Sequence, residues 1–254
     1  MRRNWTREEL ILAFNLYCKI PFGKYNQRTK EVIHLANLIQ RTPSAVAFKL
    51  VNFASLDPYH QKRGVSGMKN AGKLDREIYQ EFSNNWDDLI YESEILLNEK
   101  EGNDSLQKQA IKELENLKEG KDISRVVKTR VNQSFFRTVV LNIYSQKCAV
   151  SNIDLPELLI ASHIIPWSAN KKERLNPSNG ICLSPLYDKL FDKGLMTITN
   201  NFEIAFSSRL EKLSDKSSFE NFIKKFEGNT INTPEKFFPR EDFLEFHRKE
   251  IFIS

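Results

Sequence analysis

The chain has 254 residues, 40% hydrophobic and 28% charged, with 38 Lys and Arg against 33 Asp and Glu for a formal net charge of +5. That length and apolar share support one large or two smaller globular domains, and the sequence carries no repeats or low-complexity tract. No apolar run reaches transmembrane length and Arg7, Glu8 and Glu9 interrupt the beginning, so a soluble, cytoplasmic protein with no membrane partner is expected.

The first segment reads as helical. Thr6-Arg7-Glu8-Glu9 is a capping box, and Leu10, Phe14 and Tyr17 follow at helical spacing. A second helix is expected from Thr29 to Gln40, burying Val32, Leu35, Ala36 and Ile39. Arg41-Thr42-Pro43 then turns into a third, with Thr42 as cap, Val46, Leu50 and Phe53 inward, and Ser44, Lys49 and Asn52 exposed. Two short helices joined tightly resemble a helix-turn-helix module that reads DNA, though the pattern equally fits a helical packing domain that touches no nucleic acid. From Gln61 to Lys73 the chain carries Lys62, Arg63, Lys69 and Lys73 with no acid, broken by glycines. Such a loop can follow a phosphate backbone or stand solvated. Helical patterning from Leu74 to Phe82 and from Trp86 to Leu97 closes an expected DNA-recognition domain over residues 1–97.

Residues 98–121 read as a charged linker. Gly102-Asn103-Asp104 breaks the pattern, and Leu106 to Glu119 is a charged helix with a thin stripe of Ile111, Leu114 and Leu117, suited to a spacer or to half of a homodimer contact. Beyond Asp122 the chain turns more basic. Arg130 and Arg137 lie seven residues apart, about two helical turns, so they share a face that can approach phosphate or pair with acids inside a domain over 122–254.

Residues 161–194 carry the chemistry. Hydrolysing a phosphodiester needs a base for water and a hard cation for the charge that develops, and histidine and carboxylates suit those tasks. Ile160 to Ile165 reads as a strand ending at Pro166, which puts His163 at or near a strand end. Asn179-Gly180 is a turn signal, Ile181-Cys182-Leu183 a short second strand, and Ser184-Pro185 a helix start. A helix from Pro185 sets Asp188 and Asp192, four residues apart, on one face. Each has a plainer reading: a lone histidine is usually structural, Asp192 before Lys193-Gly194 can shape a helix end, and Tyr187, Leu190 and Phe191 belong to a core. After Gly194, residues 195–198 and 203–206 read as a hairpin, Phe219, Phe222, Ile223 and Phe226 as a helical stripe, and Pro239 as the start of a last helix with Phe243 and Phe246 inward.

The order of imidazole, amide and carboxylates resembles the HNH endonucleases, whose ββα-metal fold has a histidine on the first strand, an asparagine in the following loop and metal ligands on the helix. The likeness runs from about Thr129 to Ile198, with Gln133, Phe136-Arg137, Tyr144, Cys148-Ala149-Val150 and Phe191-Asp192-Lys193-Gly194-Leu195, and is greatest to the restriction-associated branch. In that family the helix ligands commonly fall nine and thirteen residues after the asparagine, the places of Asp188 and Asp192 here. The resemblance implies an α+β protein in which His163 is the general base, Asn179 holds the loop and orients that histidine, Asp188 binds the metal and Asp192 matches a second ligand position. Two departures stand out: Ser162, a weak ligand, precedes the histidine where many members have Asp or His, and Asp188 replaces the usual helix histidine. An oxygen-only set favours Mg²⁺ or Mn²⁺ over Zn²⁺. Some members hold a structural zinc with two CxxC pairs, but the three cysteines here form none, Ser151 and Pro185 standing where second thiols belong, so no structural zinc is expected. The resulting expectation is metal-dependent hydrolysis of double-stranded DNA in restriction of foreign or modified DNA; the rivals are a DNA-binding regulator with an inactive core and an RNA-directed nuclease.

Overall fold

The capping box forms at the start of the first helix: Thr6 Oγ1 accepts from the Glu9 amide at 3.3 Å and the Glu9 carboxylate accepts from the Thr6 amide at 3.0 Å. Two amides that the helix itself leaves orphaned are thereby satisfied. The computed structural model describes residues 3–62, 71–101, 123–212 and 216–254. The chain packs as two units, residues 1–135 and 136–254.

Among its described residues the first unit is helical: α1 (Arg7–Lys19), α2 (Lys30–Leu38), α3 (Pro43–Leu56), α4 (Pro58–Lys62), α5 (Lys73–Phe82), α6 (Trp86–Glu101) and the first part of α7 (Ile123–Ile143). Helix α1 packs on α3, α5 and α6, because Leu10, Phe14 and Tyr17 recur on one face and are wholly enclosed. Phe14 sets its ring 5.0 Å from Phe53 and 5.6 Å from Tyr79. Burying each such ring contributes about 1.5–3 kcal/mol. Thr42 caps α3 as its sequence predicts, accepting from the Ala45 amide at 3.2 Å.

The exposure expected of α3 is corrected. Asn52 is only 2% exposed and donates to Asp75 at 3.0 Å, while Lys49 binds both Asp75 oxygens at 2.6 and 2.8 Å. Asp75, itself enclosed, also accepts from the Gly72 amide at the start of α5, so these side chains tie α3 to α5. Ser44 is exposed. Residues 98–101 of the expected linker continue α6. The remainder of that linker, together with Arg63 and Lys69, lies outside the described residues, as do the side chains of Lys62 and Arg130.

The second unit is α+β. Strands β1 (Ile160–His163) and β2 (Gly180–Leu183) pair antiparallel with Ile160 opposite Leu183 and His163 opposite Gly180. Helix α8 (Pro185–Asp192) follows β2 and packs on both strands, giving a ββα unit. A second hairpin, β3 (Met196–Ile198) with β4 (Ile204–Phe206), is followed by α9 (Lys216–Phe222) and α10 (Glu241–Glu250). Phe219 and Ile223 are buried, but Phe222 is 57% exposed, so the expected aromatic stripe is only partly inward. In α10 Phe243, Leu244 and His247 are buried and Phe246 is partly exposed.

Two glycines are required by packing. A Cβ on Gly180 would lie 2.3 Å from Val140 Cγ2 and 2.9 Å from Phe136 Cζ, so α7 can cross the hairpin this closely only because Gly180 has no side chain. Gly194 adopts φ +66°, and a Cβ there would meet the Ile251 carbonyl oxygen at 2.0 Å. Its carbonyl in turn accepts from the Ile253 amide at 2.8 Å, which fixes the end of the chain beside the turn after α8.

Candidate active site

His163 closes β1, opposite Gly180, where the hairpin opens into the loop of residues 164–179. Its imidazole lies flat on Phe136 of α7, centroids 4.1 Å apart at 8°, and meets the Trp167 ring edge-on at 5.5 Å and 86°. Nε2 lies 2.9 Å from the Arg174 carbonyl oxygen. A carbonyl only accepts, so Nε2 carries the proton and the neutral ring keeps its lone pair on Nδ1. No hydrogen-bond partner for Nδ1 occurs among the described residues. Burial is the main cause holding the His163 pKa below its ordinary value; the Arg174 charge adds to this, and the hydrogen bond to its carbonyl and the Asp188 charge oppose it.

Asn179 is 1% exposed and clamps the loop. Its Oδ1 accepts from the Ile165 amide at 2.8 Å, and its Nδ2 donates to the Ile165 and Glu173 carbonyls at 3.2 and 3.1 Å. It touches the main chain on both sides of the loop rather than the imidazole, so any orientation of His163 passes through that main chain. The Ile164 amide donates to the Asn179 carbonyl at 2.9 Å, which extends the hairpin by one rung.

Asp188 and Asp192 occupy successive turns of α8. Asp188 is half-buried and Asp192 exposed at the helix end. The Asp192 carboxyl is held above the ordinary carboxylate range, by partial enclosure first and by the Asp188 charge second, with Lys189 and Lys193 opposing. The two carboxylates therefore feel each other, and Asp188 also acts on His163. Ser162 is 3% exposed and its Oγ has no hydrogen-bond partner among the described residues, leaving an orphaned hydroxyl oxygen on the residue before His163. No cluster of three or more His, Cys, Asp or Glu able to hold a metal occurs among the described residues. The oxygen donors available, two mutually repelling carboxylates on α8 and the unpartnered Ser162 hydroxyl on β1, are of the kind that would suit a hard divalent ion, since Mg²⁺ commonly takes one or two carboxylates and completes its shell with water and substrate phosphate. Such an ion, held there, would offset the Asp188 charge that adds to burial in raising Asp192.

Ser184 precedes α8 as its sequence predicts, but its side chain makes no capping bond. Its amide donates instead to Cys148 Sγ at 3.2 Å, and the Ser151 amide donates to the same sulfur at 3.4 Å. Arg137 extends to main chain, donating to the Leu159 and Pro156 carbonyls at 2.7 and 3.2 Å. Its guanidinium thus supports the entry to β1, a use that neither phosphate contact nor acid pairing anticipates. Sequence reasoning also passed over Arg174, for which there is no local signal, and the part played by Trp167 and Phe136 in enclosing the imidazole.

Residues 148–199 match the family model of HNH endonucleases. The matched segment contains β1, β2, α8 and β3 with His163, Asn179, Asp188 and Asp192, so this part of the chain is similar to an HNH endonuclease domain, a class that acts on nucleic acid and generally uses divalent metal ions. No curated protein matches the chain. Among the described residues no helix is long and apolar enough to cross a membrane.

Proposed function

We propose that the protein is a metal-dependent endonuclease that hydrolyses DNA phosphodiester bonds and serves in restriction of foreign or modified DNA. The observation that carries this reading is the orientation of His163: Nε2 is occupied by the Arg174 carbonyl, which leaves Nδ1 as the base, and burial keeps the ring neutral near pH 7. His163 takes the proton of the attacking water. Asn179 holds the loop that carries the accepting carbonyl, and Phe136 with Trp167 fixes the ring plane. Asp188, with Asp192 and Ser162 as further oxygens, would hold Mg²⁺ or Mn²⁺, which when bound neutralises charge on the phosphate and leaving oxygen. The restriction role draws on the pairing of a nuclease domain with a separate helical unit that would select the target.

The test is nicking of supercoiled plasmid, grown in methylating and non-methylating hosts, by purified protein in Mg²⁺ or Mn²⁺ and in chelator, beside His163→Ala. Metal-dependent cleavage that disappears in the variant and differs between the two plasmids is expected. Tight binding without cutting in any metal would make the protein a DNA-binding regulator, and cleavage confined to RNA would replace the substrate.

A further inference from the structure

We propose that Arg174 is a positioning residue for His163: its side chain, folded back onto Trp167, holds its own carbonyl where the imidazole Nε2–H must meet it, and so selects the tautomer with Nδ1 free. The inference rests on the reading of His163 as general base. Four contacts close a ring. His163 Nε2 donates to the Arg174 carbonyl at 2.9 Å, and Arg174 Nε donates to the Trp167 carbonyl at 2.6 Å. The guanidinium lies over the Trp167 ring at 4.9 Å, and that ring stands edge-on to the imidazole at 5.5 Å. One side chain thus ties together the two ends of the 167–174 segment, with the histidine between them.

Asn179 cannot do this alone. It fixes the main chain of Ile165 and the carbonyl of Glu173, but makes no bond to Trp167 or to the Arg174 carbonyl. An imidazole with no fixed acceptor populates both neutral tautomers, and in one of them Nδ1 carries the proton and cannot act as base. Arginine suits the task because its planar fork donates along one edge while its face stacks on indole; lysine offers a point charge that fulfils only part of this.

The experiment uses the full chain labelled with ¹⁵N-histidine at pH 8 without metal, comparing wild type with Arg174→Lys and Arg174→Met. The chain has four histidines, and the His163 ring signals are assigned by their loss in His163→Ala. Wild type should show protonated Nε2 and unprotonated Nδ1. Arg174→Met should move both ring nitrogens toward mixed-tautomer values and lower kcat for plasmid nicking in Mg²⁺ about tenfold to a hundredfold with KM nearly unchanged, as losses of ligand-orienting partners do elsewhere. Arg174→Lys should recover part of both. A residue that merely supports the fold would change the amide spectrum or the melting temperature while leaving the tautomer of the folded protein as it was. Unchanged His163 ring signals in folded Arg174→Lys and Arg174→Met would overturn the proposal. Ring signals that respond while wild-type protein cuts no nucleic acid would keep the positioning role and sink the endonuclease reading.

Discussion

Half-buried His163 and fully buried His247 both bond through Nε2 to a main-chain carbonyl, and they differ in what the other nitrogen meets. His247 lies 3.1 Å from the Phe191 carbonyl at Nε2 and 2.9 Å from Thr197 Oγ1 at Nδ1, with its ring stacked on Phe191 at 3.7 Å. Both nitrogens are satisfied and the residue is 1% exposed, which defines a structural histidine. Burial is the main cause of its pKa falling to about 4, the Arg248 charge adding to it and the Phe191 hydrogen bond opposing it. Between the ordinary histidine value and about 4 the unfolded chain therefore binds a proton that the folded chain does not. Stability contributed by keeping His247 neutral is fully present above pH 6.5 and is lost as pH falls toward 4, by a total of about 3 kcal/mol. Urea midpoints for wild type and His247→Gln at pH 7 and pH 4.5 check this, because the variant should show the smaller loss on acidification. Equal losses would mean that other groups carry the acid sensitivity. Neither histidine announces its role locally: the Phe191 carbonyl is 56 residues from His247 and the Arg174 carbonyl 11 from His163, so both partners become visible only once the chain has folded.

At the scale of elements, the helix starts and the hairpin were readable because their signals are local. Thr6 with Glu9, Thr42 before Pro43, and Pro185 at the first position of α8 each act within a few residues. Asn52 was misread for the opposite reason. Helix α3 is apolar on more than one face, and the polar residues left over look solvated until Asp75, 23 residues further on, arrives to pair with them. Lys49→Ala should accordingly weaken the fold rather than target choice, since it strands a carboxylate that is 1% exposed. Losing one partner of a buried pair costs up to about 3–5 kcal/mol, less here because Lys49 keeps some solvent contact. A lowered melting temperature, partly restored in Lys49→Ala with Asp75→Asn, is the expected result; an unchanged melt would show that water replaces the lysine. Gly180→Ala tests the contact between α7 and the hairpin. Its Cβ must displace Val140 and Phe136, at about 1–3 kcal/mol for overpacking, and Phe136 is the ring on which His163 rests. Both the melting temperature and the nicking rate should fall, and a loss of stability with full activity would mean that Val140 alone gives way.

At the scale of the whole molecule, the segment similar to HNH endonucleases lies within residues 136–254, and the unit over residues 1–135 is helical among its described residues and has its own buried core. A net charge of +5 is too modest to identify a binding face, and the basic residues singled out in sequence at Arg63 and Lys69 lie outside the described residues. Whether the first unit selects a target is therefore tested by dividing the chain. A fragment from Leu106 to Ser254 contains α7 and the whole matched segment, so it should keep metal-dependent nicking, more weakly and with no preference between plasmids from different hosts. Full-length His163→Ala should still bind duplex DNA, measured by fluorescence anisotropy, with affinity falling as salt rises because each neutralised phosphate releases a counterion. A shallow slope, shared by the fragment, would place the phosphate contacts around the nuclease domain; a steeper slope in the full chain would assign the additional contacts to the first unit. If the fragment retains full preference and the full chain binds no more tightly than the fragment, the helical unit has a task other than reading DNA.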